Sequence, residues 1–344
     1  MAEGRMSTIP IIDIAPWFSG DIEDQRTVAR QLNSACHEFG FLQIVGHGVS
    51  EELRGAALNQ MNSFFERAVG LKEAATPPDG SYRGYSGRKS ESFAYTVGDI
   101  RPADLVEAFV MGSEDPDGQP TGRLHTHAPN VWPAGLPEFE STTTRYYRAA
   151  RELSETMADI ASLGLGLERD FFSSRMNDAV VTMRMNWYQR LENEPQLDEE
   201  QMALGAHTDY GILTILLADI RPGLQILSDA SEWVDVTPEP GAFIMNVGDA
   251  LAVWTNDYWK STIHRVVPTM APGGTPRRSI ALFQDGNFDT PLSVLPQFVA
   301  KDSPAKYAPT TLGEHVTNKI SGGRTFEVPD VQQTLGTRDT SSKL

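Results

Sequence analysis

From about residue 180 the chain stops offering helices. Short β-rich runs occupy 181–188, 212–218, 224–227, 233–237, 242–247, 251–254, 262–267 and 278–284, separated by Gly and Pro, and no helix-length periodic segment intervenes. Runs of this kind bury themselves only by pairing, and so many within about a hundred residues predict a sandwich or a jelly-roll barrel. Upstream the apolar residues recur at helical spacing instead. Val28, Leu32, Ala35, Cys36 and Phe39 form one such face; Leu53, Ala57, Met61, Phe64, Phe65 and Ala68 form another, behind Ser50 as a cap. A third helical segment runs from about Glu138 to Leu167, with Gly164 and Gly166 weakening its end. Short strands are expected at 9–14 and 41–45, loop with short extended pieces at 74–104, and a loop at 112–130 around Glu114-Asp115-Pro116-Asp117-Gly118. The fold class is mainly β with flanking helices, a jelly-roll core carrying a helical N-terminal part. Residues 1–175 form the N-terminal strand and helix region packed on the core, 176–320 the core, and 321–344 a polar C-terminal tail, disordered at its last residues.

Charge narrows the partners. The formal net charge is −17 and no Lys/Arg block interrupts it, so the surface repels phosphate backbones and a nucleic-acid partner is not expected. The single cysteine, Cys36, permits no intrachain disulfide and fits a reducing compartment. No basic region followed by an apolar run opens the chain, and no stretch approaches about 18 uninterrupted apolar residues. The expectation is a cytoplasmic protein with no membrane partner.

The histidines carry the chemistry. In His207-Thr208-Asp209 an extended backbone projects the imidazole and the carboxylate to one face. His264, in the strand-like run 261–267, supplies a third ligand. Two His and one carboxylate on one face of an octahedron suit non-haem Fe(II) and leave three positions open for a bidentate co-substrate and dioxygen. An HxD pair alone arises often by chance; the residues downstream of it raise its weight. Arg277-Arg278-Ser279 leads into the strand Ile280-Ala281-Leu282-Phe283; Arg277 and Ser279 share a face, and a guanidinium with a hydroxyl beside it matches the distal carboxylate of 2-oxoglutarate. A surface salt bridge is the plainer use of Arg277, but HxD, a distant His and R-x-S in this order make it the poorer account.

These motifs resemble the isopenicillin N synthase-like branch of the iron(II)/2-oxoglutarate-dependent dioxygenases. The resemblance is carried by His207-Thr208-Asp209-Tyr210-Gly211, Gly223-Leu224-Gln225, Asn246-Val247-Gly248-Asp249, Trp254-Thr255-Asn256-Asp257, the run 261–267 and Arg277-Arg278-Ser279. Upstream, Ile9-Pro10-Ile11-Ile12-Asp13, the run 40–48 and Arg83-Gly84-Tyr85 also match, so it spans most of 9–320. It implies a double-stranded β-helix holding Fe(II), with 2-oxoglutarate and O2 as co-substrates and a small-molecule substrate that is hydroxylated, desaturated or cyclised. It also implies that Tyr188 and Asn186, in Asn186-Trp187-Tyr188, lie with Arg277 and Ser279 around 2-oxoglutarate. Trp187 and Gln189 depart from the branch's Asn-Tyr-Tyr-Pro pattern, which bears on the substrate wall. Phe283, Trp187, Arg83 and Tyr85 are the candidates for that wall. Because halogenases of this superfamily carry Ala or Gly at the carboxylate position, Asp209 implies no halogenation. Two other readings stand beside this one: an iron oxidase that does not use 2-oxoglutarate, since R-x-S also surrounds that enzyme's substrate carboxylate, and a non-catalytic barrel that binds a small ligand.

Other residues have plainer readings. His125-Thr126-His127 is a same-face pair without a third ligand nearby, and solvated side chains account for it. His47, between two glycines, fits a structural turn; His37 and His315 have no partner legible in the sequence. Asp249 is expected to fix a turn through side-chain to backbone bonding. Trp233, Trp254 and Trp259 are expected in the core or at its rim.

Overall fold

The computed structural model describes residues 9–77, 81–99, 101–113, 128–194, 196–198 and 200–325. His125, His127, the turn 114–118 and the end of the tail lie outside the described residues. In chain order come β1 (Ile11–Asp13), α1 (Ile22–Glu38), β2 (Phe41–Val45), α2 (Glu51–Phe65), α3 (Val69–Glu73), β3 (Gly84–Ser86), β4 (Glu107–Gly112) and α4 (Phe139–Gly164). The core strands follow: β5 (Ala179–Tyr188), β6 (Leu204–His207), β7 (Leu213–Ala218), β8 (Leu224–Leu227), β9 (Trp233–Asp235) and β10 (Phe243–Val247). Then α5 (Asp249–Trp254), β11 (His264–Val266), β12 (Arg277–Asn287) and α6 (Leu312–Thr325) complete the elements used below.

Two sheets face each other. The larger has the order β1-β2-β10-β7-β12-β5-β4-β3, the smaller β6-β11-β8-β9, and among the described residues only the β1–β2 pair is parallel. Strands β1 to β4, all from the first half of the chain, extend the large sheet on both sides of the later strands. This is the jelly roll that closely spaced short strands require. The fold class agrees with the sequence reading.

The register divides the large sheet by alternation. Trp187, Met185, Ile280, Leu282, Ile215, Leu217, Met245, Phe243 and Leu42 turn outward into one apolar core shared with α1, α2 and α4. Tyr188, Ile244 and Phe41 turn inward and pack with Leu204, Leu224, Ile226 and Val266 of the small sheet. A strand buried on both faces shows no polar alternation, yet the two faces here do different work.

Local chemistry starts the helices. Asp21 accepts from the N–H groups of Glu23 and Asp24, and Ser50 Oγ from that of Leu53 at 3.2 Å. Gly164 is the last residue of α4, as its weak propensity predicts. One expectation is corrected. Residues 251–254 are not a strand but part of α5. The N–H groups of Gly248, Asp249 and Ala250 donate to the carbonyls of Ile212, Asp209 and Gly211 at 2.9, 2.8 and 3.1 Å, which anchors a helical turn there. An apolar run buried on all sides has no period by which strand and helix could be told apart. Strand β3 is one of the short extended pieces expected within 74–104, whereas β4 and β6, absent from the expected set, are too short or too evenly buried to show a period. Among the described residues no helix is long and apolar enough to cross a membrane.

Phe64 on α2 is wholly buried, its ring centroid 5.0–5.9 Å from those of Phe65, Tyr85, Phe109 and Phe139. Phe64→Ala is expected to cost about 3–5 kcal/mol of unfolding free energy. Denaturant titration measures it, and a change near zero would show that this outer core does not hold the helices to the sheet.

Candidate metal centre

His207 ends β6 and His264 begins β11, and these antiparallel neighbours place the two residues directly opposite each other. Their rings are 4.3 Å apart between centroids. Asp209, two residues past His207, brings Oδ1 to 3.7 Å from Nε2 of His207 and 3.8 Å from Nε2 of His264. All three residues are buried, and each offers one ligand atom within 4.8 Å of the other two. The residues paired by sequence reasoning are thus brought together.

The surrounding hydrogen bonds aim these atoms. His207 Nδ1 lies 2.8 Å from the carbonyl of Gly205, and His264 Nδ1 lies 3.1 Å from that of Thr262. A carbonyl only accepts, so each Nδ1 carries the proton and each Nε2 presents its lone pair to the centre. Burial first, and the neighbouring His264 second, lower the pKa of His207 to about 3, which keeps it neutral as a ligand must be. Asp209 Oδ2 accepts from Thr214 Oγ1 at 2.5 Å and from Asn246 Nδ2 at 2.6 Å, leaving Oδ1 for a metal. Both donors stand on the inward face of the large sheet, on β7 and β10. Two imidazoles and a carboxylate held in this way fit one divalent iron with open coordination positions.

Beside the triad, Arg277 and Ser279 project inward from β12 next to Tyr188 and Asn186 of β5, Arg277 being paired across the sheet with Tyr188 and Ser279 with Asn186. The Arg277 guanidinium carbon stands 5.2 Å from the centre of the Tyr188 ring. Asn186 Nδ2 approaches Ser279 Oγ at 3.5 Å. Arg277 is 1% exposed, and its Nε and Nη1 have no hydrogen-bond partner among the described residues. A buried guanidinium with open N–H groups lacks the carboxylate that normally accompanies it.

Four further candidates take different places. Phe283, half-buried, lies on the inward face of β12 with Arg277 and Ser279. Trp187 points the other way and stacks on Phe65, centroids 5.4 Å apart. Tyr85 is also on the outer side, donating its hydroxyl to Glu107 at 2.7 Å. Both line an outer cavity of about 940 Å³ with Lys72 and Gln189, so the structure does not bring Trp187 or Tyr85 to the triad. Arg83 is buried at the sheet's edge, donating to the carbonyls of Tyr82 and Ser113 at 2.9 and 3.0 Å.

Sequence reasoning missed several residues of the site. Thr214 and Asn246 carry the Asp209 carboxylate; the available signal was a polar side chain inside an otherwise apolar strand, as in Phe243-Ile244-Met245-Asn246-Val247. Arg184 donates to Asn186 Oδ1 at 2.7 Å and to the Tyr82 hydroxyl at 2.9 Å, and pairs with Glu91 at 2.8 Å. Phe93 stands 5.0 Å from the His207 ring. Asp104 accepts from the N–H groups of Phe93 and Gly205 at 2.9 and 2.8 Å, and burial raises its pKa to about 7. Among the other histidines, His47 bonds the Gly241 carbonyl and the Val49 N–H, a structural turn as expected. His37 stacks on Tyr258 and bonds its carbonyl. Asp249 differs from expectation: its carboxylate engages Thr208 and Lys319.

Fold and triad together define a mononuclear non-haem metal centre in a jelly roll. The N-terminal family model described as non-haem dioxygenase in morphine synthesis matches residues 9–135, and the model of the 2OG-Fe(II) oxygenase superfamily matches 180–286. The chain is 34% identical over 327 residues to the 2-oxoglutarate-Fe(II) type oxidoreductase hxnY of Emericella nidulans, covering 92% of this chain and 90% of that one. It is 32% identical over 268 residues to the validamycin A dioxygenase of Streptomyces hygroscopicus subsp. limoneus, covering 77% and 73%. Among solved structures, a full-length Neurospora crassa protein in complex with alpha-KG and 5-formyluracil is similar at a TM-score of 0.79 and 28% identity, covering 93% of this chain and 98% of that chain. The chain belongs to the 2OG-Fe(II) oxygenase superfamily and is an iron(II)- and 2-oxoglutarate-dependent dioxygenase.

Removing one support of the Asp209 carboxylate tests the geometry. Asn246→Ala is expected to weaken Fe(II) binding about ten- to a hundredfold with the fold intact. Anaerobic metal titration measures this, and unchanged affinity would refute the role of that hydrogen bond.

Proposed function

We propose that His207 and His264, through Nε2, and Asp209, through Oδ1, hold the iron, and that Arg277, Ser279 and Tyr188 hold the distal carboxylate of 2-oxoglutarate. The observation that carries the second half is the buried Arg277 guanidinium with Nε and Nη1 unpartnered. A carboxylate placed there would complete a charge-assisted fork and lift the burial penalty that now lowers the Arg277 pKa. The open Nε and Nη1 of Arg277 fit 2-oxoglutarate, and the relatives named for that co-substrate support this reading over an iron oxidase that does without it.

Iron with 2-oxoglutarate and dioxygen supplies the oxidation of a C–H bond, with succinate and CO2 released. The chain's own groups orient the reactants and exclude water. Tyr188, whose pKa burial raises, keeps its proton and serves as a neutral hydrogen-bonding partner beside Arg277. Asp209 takes the position that a halide would need, so the reading is hydroxylation, desaturation or ring closure of a small organic metabolite. Phe283, Phe93 and the Arg184–Glu91 pair are the proposed substrate wall. This wall replaces Trp187 and Tyr85, which face the outer core.

Anaerobic Fe(II) and 2-oxoglutarate should produce the weak visible charge-transfer band of the chelate. Its absence in the wild-type protein would overturn the co-substrate site. Arg277→Met should raise the KM for 2-oxoglutarate about ten- to a hundredfold, with Arg277→Lys recovering part of it as a single point charge. Asp209→Ala should abolish substrate oxidation without unfolding; retained turnover would refute the triad. A metabolite panel scored by succinate release identifies the substrate. For any compound found, Phe283→Ala should raise its KM about tenfold while the KM for 2-oxoglutarate stays near wild type; equal rises in both would remove Phe283 from the wall.

A further inference from the structure

Helix α6 reaches the back of the turn that carries the metal ligands. Lys319 on this helix is 0% exposed, and its ammonium lies 3.1 Å from Oδ2 of Asp249. His315, one turn earlier, brings Nε2 to 4.0 Å from the same oxygen. Burial holds His315 down to about 4, so this imidazole is neutral and Lys319 is the cation facing Asp249. A carboxylate and an ammonium this deep persist only as a pair.

Asp249 is joined to the ligand turn twice. Its backbone N–H donates to the carbonyl of Asp209 at 2.8 Å, and its Oδ2 accepts from Thr208 Oγ1 at 3.1 Å. Thr208 is the residue between His207 and Asp209, so in extended backbone its side chain points away from the centre they face. The fit around it is close. A Cβ at Gly248 would stand 2.1 Å from the Gly211 carbonyl oxygen, so only glycine lets α5 approach the turn this far. The turn is thereby gripped from behind, through Thr208, by a carboxylate whose counter-charge comes from the C-terminal helix.

We propose that Asp249 is a positioning residue for the metal triad and that Lys319 holds it in place, which makes helix α6 part of the apparatus that sets His207 and Asp209. The proposal rests on reading His207, Asp209 and His264 as the ligands. Without the Lys319 ammonium, the buried Asp249 carboxylate loses the cation facing it, and the Thr208 anchor loosens. The structure thus links α6 to the ligands through a defined chain of contacts: Lys319, Asp249, Thr208, then the backbone of the turn.

The test measures metal affinity on the full-length protein, with Co(II) as a spectroscopic stand-in for Fe(II), for Thr208→Val, Lys319→Met, Lys319→Arg and the Thr208→Val/Lys319→Met double variant. Thr208→Val and Lys319→Met are each expected to weaken Co(II) binding about ten- to a hundredfold in folded protein, as loss of groups that orient ligands does. Lys319→Arg should restore most of the affinity, and the double variant should be little worse than the poorer single one, because both break one chain of contacts. Single variants that melt earlier yet bind Co(II) as wild type does would overturn the proposal, as would additive losses in the double variant. If Lys319→Met does not fold, Thr208→Val decides: weakened binding supports the link and wild-type binding refutes it. A wild-type protein that binds no Co(II) would instead bring down the ligand assignment itself.

Discussion

A carboxylate enclosed between two imidazoles must be held in one orientation, or it will turn its charge to whichever donor is nearest. In this protein Asp209 meets that constraint with Thr214 and Asn246 on one oxygen, leaving the other directed at the two Nε2 atoms. These donors stand on different strands of the large sheet, whereas both imidazoles belong to the small one. The centre therefore exists only when the two sheets have closed on each other. Everything else in the site is arranged around that closure, including the carbonyls of Gly205 and Thr262 that set the histidine tautomers.

The large sheet separates two tasks by alternation alone. On β5 and β12, one set of residues presents Arg184, Asn186, Tyr188, Arg277 and Ser279 to the interior, while the intervening set packs Met185, Trp187, Ile280 and Leu282 under the helices. A shift of one residue in register would exchange these faces. The outer core is thus more than a support: by burying apolar side chains on one face it dictates which polar side chains reach the interior. Helix α6 adds a third element by placing a buried cation behind the ligand turn.

Much of this was legible in the sequence. His207 and Asp209 share a face because they are two apart in extended backbone, and Arg277 and Ser279 for the same reason. The 3.6-residue pattern located α1, α2 and α4, and Ser50 marked the start of α2. Short buried segments were not legible. The run 251–254 is apolar on every side and forms a helix because the turn 209–212 supplies carbonyls for its first N–H groups. Trp187 and Tyr85 were drawn into the substrate wall by position within a motif, and the sheet's register turns them to the outer core.

HxD, the distant histidine and R-x-S determined which atoms could bind iron and a dicarboxylate, because spacing along a strand dictates which side chains share a face. What only the tertiary structure decided is how those atoms are aimed. The supports of Asp209, the tautomers of the two histidines, the placing of Arg277 beside Tyr188 and the Lys319–Asp249–Thr208 chain all join segments brought together by sheet closure and helix packing. Such contacts leave no local period in the sequence, since the partners of each residue are chosen by the fold and not by its neighbours along the chain.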